Sequence, residues 1–150
     1  MENKISIKNE IMRLLKKRKA KDLASIIESL QINIFKMDLG KGSKGMYRYE
    51  RRQRYIILNS NLKEYEVLWV LAHEVGHAVL HTNSSDIVFL CRKGNFEIGK
   101  FEKEADLFAA EILLPDEHPL LLEGRSTYDV AMAECLPHRL VKLKYGKDSD

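Results

Sequence analysis

Residues 71–81 read LAHEVGHAVLH. Three histidines, His73, His77 and His81, recur every four residues, and Glu74 follows the first of them. Imidazole nitrogens hold divalent ions, and a carboxylate beside such an ion can carry protons to and from a reacting water. A helix turns about 100° and rises ~1.5 Å per residue. His73 and His77 then fall roughly 40° apart and ~6 Å along the axis, so both rings can converge on one ion. Glu74 lies about 100° round from His73, at the edge of the same face, placed for a water beside the ion rather than for the ion itself. His81 sits ~12 Å along the axis from His73, too far for the same ion on a straight helix. It reads as a capping residue or one that steadies a ligand. The plain alternative is a polar helix face of hydrogen-bonded histidines. That fits a lone histidine better than it fits His73, Glu74 and His77 together within an apolar helical pattern.

Two histidines leave a site incomplete, because catalytic tetrahedral zinc takes three protein ligands and keeps one position open. The stretch FEKEADLFAAEILLP, 101–115, offers Glu102, Glu104, Asp106 and Glu111. Glu102 and Asp106 are four apart and share a helix face, while Glu104 and Glu111, seven apart, share another. Phe101, Ala105, Phe108, Ala109 and Ile112 mark the core side, and Glu102 and Asp106 flank it. One carboxylate on the metal and a second orienting a ligand histidine is sound coordination chemistry. A solvated acidic first turn is the plain reading of this stretch, since acids favour helix N-termini; the histidine-bearing helix upstream argues against it. Two histidines and one carboxylate suit Zn2+, and equally Mn2+ or another divalent ion.

These residues need elements to hold them. Leu62 to about Thr82 carries a helical pattern, with Asn59, Ser60 or Asn61 as caps. Pro115 stops the second helix. Residues 7–30 have apolar residues at helical spacing and form one long helix or two short ones. INIF, 32–35, is a short β-branched run; a glycine-punctuated loop, GKGSKG, ends at Gly45; and 46–59 reads as two strands around a charged turn at Glu50–Gln53. Residues 83–100 look loop-rich, and 126–146 suggests two short helices broken near Pro137. The expected fold is α+β, with a small, mainly antiparallel sheet packed on the first site helix and the second site helix facing it. One domain spans 1–150, its core at about 25–122 and a C-terminal helical appendage at 126–146.

The chain of 150 residues is 45% hydrophobic and 31% charged, the proportions of a soluble globular domain with a real core. No apolar run near the motif approaches the length of a membrane span, and the N-terminus has no secretory h-region. Cys91 and Cys135 have neither disulfide-framework nor metal-type spacing, so a cytoplasmic protein with free thiols is the simplest expectation. A net charge of +3 names no partner.

LAHEVGHAVLH followed about twenty residues later by FEKEADLFAAEILLP resembles the ImmA/IrrE family of metallopeptidases, and GMYRYERRQRYIILNSNL, 45–62, resembles the hairpin that precedes their active-site helix. The resemblance covers roughly residues 25–120. It implies a minimal thermolysin-like (zincin) fold and a zinc endopeptidase that cleaves a helix-turn-helix repressor, relieving repression of prophage, mobile-element or stress genes. The family pattern Glu-x-x-Ala-Asn/Asp, then Phe-Ala-Ala and a Leu-Leu-Met-Pro-like stop, falls on Glu102, Ala105, Asp106, Phe108–Ala110 and Leu113–Pro115. It implies Glu102 as third zinc ligand and Asp106 as support for a ligand histidine, with Glu104 the fallback ligand. His118, Tyr128 and His138 are candidates for the oxyanion stabiliser by residue type alone. By analogy of fold, the strand around Met46–Tyr49 is an edge that pairs with extended substrate.

Two other classes of function compete. KKRKAK, 16–21, together with Arg48, Arg51, Arg52 and Arg54, and a faint helix-turn-helix likeness in 127–143, would suit a DNA-binding regulator. A solvated basic face explains the run better, because acids elsewhere nearly balance the charge. The second is a repressor-docking protein with a structural or inactive metal site.

Overall fold

The computed structural model describes residues 2–17, 22–81 and 96–146. Of the loop-rich stretch expected over 83–100, residues 83–95, Cys91 among them, lie outside the described residues, as do residues 18–21 of the basic run. Residues 96–100 are helical instead, because the second site helix begins at Phe96 rather than near Phe101.

The N-terminal helical pattern forms two helices, α1 (Glu2–Lys17) and α2 (Leu23–Ser29). Ile7 and Ile11, one turn apart, are buried on α1, and Leu23 and Ile26 on α2. Asp22 caps α2 by accepting from the Ser25 backbone N–H at 2.9 Å. Three strands follow: β1 (Ile32–Met37), β2 (Gly45–Glu50) and β3 (Gln53–Asn59). The sheet order is β1-β3-β2. β2 and β3 pair antiparallel as a hairpin, whereas β1 pairs parallel to β3. The sheet is therefore mixed rather than mainly antiparallel. β1 lies beyond β3 from β2, and one chain reversal through β2 brings β3 back in the direction of β1. The hairpin closes through Arg51 and Arg52, both left-handed (φ 50° and 62°), between the paired residues Glu50 and Gln53. That is the primed two-residue turn that matches strand twist, built here from arginines instead of the less strained Asn-Gly.

α3 (Glu64–Leu80) packs on β2 and β3, and α4 (Phe96–Leu113) packs on α3. The N-cap of α3 is Lys63, not Asn59, Ser60 or Asn61. Asn59 is committed elsewhere: its amide donates to the Gly40 and Ser43 carbonyls at 2.7 and 2.8 Å and fastens the loop before β2. Glu66 instead accepts from the Lys63 backbone N–H at 3.0 Å. α4 ends at Leu113, ahead of Pro115 as expected.

Three short helices complete the chain: α5 (Pro119–Leu122), α6 (Thr127–Glu134) and α7 (His138–Tyr145). α7 lies on α4, burying Leu140 and Val141 completely. Its Lys144 Nζ donates to the Leu114 carbonyl at 2.6 Å and to Glu111 Oε2 at 3.3 Å, so a buried cation sits at the C-terminal end of α4. Ile26, Ile56, Val70, Val75, Phe108 and Leu140 are among the core residues shared by these layers.

Candidate metal centre

The site forms where α3 crosses α4. Gly76 allows the approach: a Cβ there would lie 3.1 Å from both the Cα and the carbonyl oxygen of Ala105 and 3.1 Å from Phe108 Cβ. Helical spacing turns His73, Glu74 and His77 into the buried side of α3, and all three are under 9% exposed. α4 contributes Glu102 and Asp106 from one face, four residues apart.

His73 Nε2 lies 3.1 Å from Glu102 Oε2, and His77 Nε2 lies 2.9 Å from Glu102 Oε1. One ligand atom from each of the three residues falls within 4.8 Å of the others. Both imidazoles thus present Nε2 to one point, and both Nδ1 atoms are held from behind. His73 Nδ1 meets Asp106 Oδ1 at 2.8 Å. His77 Nδ1 meets His81 Nδ1 at 3.0 Å, and His81 Nε2 meets Glu104 Oε2 at 2.9 Å. Asp106 in turn accepts from Arg139 Nε of α7 at 2.9 Å, and the Arg139 guanidinium stacks over Trp69 of α3, 5.1 Å from the ring centroid. Two nitrogens and one carboxylate with their outer partners in place are a donor set that fits a divalent ion.

Charge follows the same geometry. Burial alone would lower the His73 pKa, but hydrogen bonds to Asp106 and Glu102 outweigh it and raise the imidazole to about 10. Burial would raise the Glu102 carboxyl, yet the bonds to His73 and His77 bring it far below the ordinary carboxylate range. Asp106 is likewise lowered: the pull of His73 and Arg139 exceeds the cost of burial. Glu74 goes the other way. Burial raises its pKa, and neighbouring His77 and His73 offset only part of the rise. A buried carboxylate with a raised pKa holds a proton more readily than an exposed one, which suits a group that takes up and returns a proton.

The remaining expected residues are placed as follows. Glu104, the fallback ligand, is not one of the three converging residues; its Oε2 pairs with His81 Nε2 at 2.9 Å. His81 forms the C-cap of α3, its ring packed on Phe101 with centroids 4.5 Å apart. His118 is buried as the N-cap of α5, and its Nε2 pairs with Glu134 at 3.0 Å. Tyr128 is exposed and sets its ring edge-on to His138, whose Nε2 meets Thr127 Oγ1 at 2.9 Å. These three therefore make their contacts along the C-terminal helices. Two residues carried no signal in the sequence. Arg139 is 33 positions from the carboxylate it holds. Gly45 opens β2, and a Cβ there would lie 3.0 Å from Val70 Cγ1, 3.2 Å from the Ile57 carbonyl oxygen and 3.3 Å from Glu74 Cγ, so the missing side chain lets α3 lie close against the start of β2.

A helix-borne histidine pair, a carboxylate from a crossing helix and a buried glutamate between them and a sheet edge are the working parts of a zincin-like metallopeptidase. Comparison with known proteins agrees: the Peptidase_M78 model, described as the IrrE N-terminal-like domain, matches residues 27–140, and the chain belongs to this ImmA/IrrE family. It is 34% identical over 142 residues to the uncharacterized immunity region protein 2 of Bacillus phage phi105, spanning 92% of this chain and 88% of that protein. It is 31% identical over 113 residues to metallopeptidase ImmA of Bacillus subtilis (strain 168), spanning 74% of this chain and 64% of that protein. Among the described residues no helix is long and apolar enough to cross a membrane.

Proposed function

We propose that the protein is a zinc endopeptidase whose substrate is a helix-turn-helix repressor, cleaved to release prophage, mobile-element or stress genes. The observation that carries the catalytic part is the convergence of His73 Nε2, His77 Nε2 and the Glu102 carboxylate, with Glu74 buried alongside. The substrate class rests on the family and on the likeness to a phage immunity-region protein.

His73, His77 and Glu102 would hold the ion, and Asp106 keeps the His73 proton on Nδ1 so that Nε2 is free to bind. The bound ion would supply Lewis acidity for the scissile carbonyl and make a neighbouring water acidic enough to react at neutral pH. Glu74 takes a proton from the attacking water as its oxygen bonds to the carbonyl carbon. Glu74 then returns that proton to the departing amine nitrogen as the C–N bond breaks. β2 has one edge turned away from β3, and Gly45 at its start touches the Glu74 environment. An extended substrate pairing along this edge places its backbone next to the base.

The DNA-binding reading weakens at α6 and α7. Of the three cations of α7, Arg139 pairs with Asp106 and the buried Lys144 with Glu111 and the end of α4, so two are engaged within the fold and Lys142 is left exposed.

The test is incubation of zinc-loaded protein with a repressor encoded beside its own gene. Discrete fragments should appear, stop on chelation and return with added zinc. Intact repressor under all three conditions, in the presence of bound zinc, would favour the docking function instead.

A further inference from the structure

His73 and His77 are both ligands, yet their outer partners differ. His73 leans directly on a carboxylate, Asp106 Oδ1 at 2.8 Å. The partner of His77 Nδ1 is another imidazole, His81 Nδ1 at 3.0 Å, and a carboxylate stands one residue further out, with Glu104 Oε2 2.9 Å from His81 Nε2. We infer that His81 and Glu104 form a two-member relay that fixes the tautomer and orientation of His77 and thereby sets the affinity of the metal site. This rests on the metal-site reading above.

Two facing nitrogens can share only one proton, which makes the relay directional. When His77 turns Nε2 to an ion, its own proton must be on Nδ1. His77 Nδ1–H then donates, His81 Nδ1 accepts, and the His81 proton is forced onto Nε2, where it donates to the Glu104 carboxylate. An acceptor-only carboxylate at the far end admits just this order. His81 is held for the task. Its side chain is 4% exposed, its backbone N–H bonds the His77 carbonyl at 2.9 Å, and Phe101 packs on its ring. Phe101 and Glu104 are three residues apart on α4, so one face of that helix supplies both the packing wall and the terminal acceptor. The i, i+4 step from His77 to His81 puts an imidazole where the other branch has its carboxylate. His81 and Glu104 are positioning residues: neither ligand atom set includes them.

A simple cross-link between α3 and α4 would use the same contacts, so the test must read what a cross-link does not set. In zinc-loaded, 15N-histidine-labelled wild-type protein, long-range proton–nitrogen correlation should show His77 protonated at Nδ1 and His81 at Nε2. Glu104→Gln offers an amide that can donate as well as accept, which releases the constraint on the His81 tautomer. Its zinc Kd, measured against a competing chelator, should rise about 10- to 100-fold with helix content unchanged. Zinc-loaded wild type with the His81 proton on Nδ1 would overturn the relay. So would a folded Glu104→Gln protein binding zinc within about twofold of wild type. Wild-type protein that takes up no zinc would instead overturn the metal-site reading, and the relay with it.

Discussion

Gly76→Ala asks whether the site depends on how closely α3 approaches α4. The new Cβ would meet Ala105 Cα, Ala105 O and Phe108 Cβ, each at 3.1 Å. Carbon atoms rest about 3.5–4.0 Å apart, so the helices must separate by roughly half an ångström. None of the three obstacles is the tip of a flexible side chain, so the backbone of α4 has to move. Glu102 lies one turn before Ala105, and His73 and His77 flank Gly76, so the movement separates the carboxylate from the imidazoles. Two energies oppose one another. In open space, alanine for glycine within a helix would stabilise by about 1 kcal/mol. Overpacking a well-filled contact costs about 1–3 kcal/mol. The second should win, giving net destabilisation of roughly 1 kcal/mol in urea titrations of chelator-treated protein with an unchanged m-value. Zinc affinity should fall as well, because ligand distances tolerate only about ±0.2 Å. A protein stabilised by about 1 kcal/mol, with wild-type zinc affinity, would show that the helices have slack and that the reasoning fails.

Glu74→Gln should keep zinc through dialysis and lose cleavage by on the order of 10²–10⁴-fold; cleavage at the wild-type rate would remove Glu74 from the mechanism. For metal-stripped protein, His73 binds its proton more tightly folded (pKa about 10) than at its ordinary 6.5. Its contribution to stability should then be complete below about pH 6.5 and disappear as pH rises toward 10, as read by denaturant midpoints across that window. Zinc must displace the same proton, so zinc affinity should strengthen by close to tenfold per pH unit through this range; a pH-independent Kd would refute the His73 assignment. At the hairpin, Arg51→Asn with Arg52→Gly relieves two left-handed arginines and should stabilise the fold by about 1–2 kcal/mol in the same titrations.

The metal cluster was legible because most of its geometry is local. His73 and His77 converge through the pitch of a single helix, and no other element enters that inference. The step to α4 needed only which face meets the core: Glu102 and Asp106 flank the apolar side, while Glu104, about 200° round from Glu102, comes to His81 instead. The hairpin was legible for the same reason, since a charged turn between alternating runs specifies antiparallel neighbours. Pairing of β1 with β3 was not, because strands so far apart in sequence choose neighbours by packing that no window of residues contains. The cap of α3 failed through competition: Asn59 is a good cap by type, but its amide completes two loop carbonyls whose positions depend on the folded sheet. Arg139 shows the limit most clearly. Nothing around it in sequence indicates a functional partner, yet it bonds Asp106 and stacks on Trp69, joining α7 to both helices of the site. The C-terminal helices therefore reach the site: Arg139 holds Asp106, whose carboxylate meets His73 Nδ1. Truncation ahead of α7 would remove Arg139 from the site along with the packing on α4.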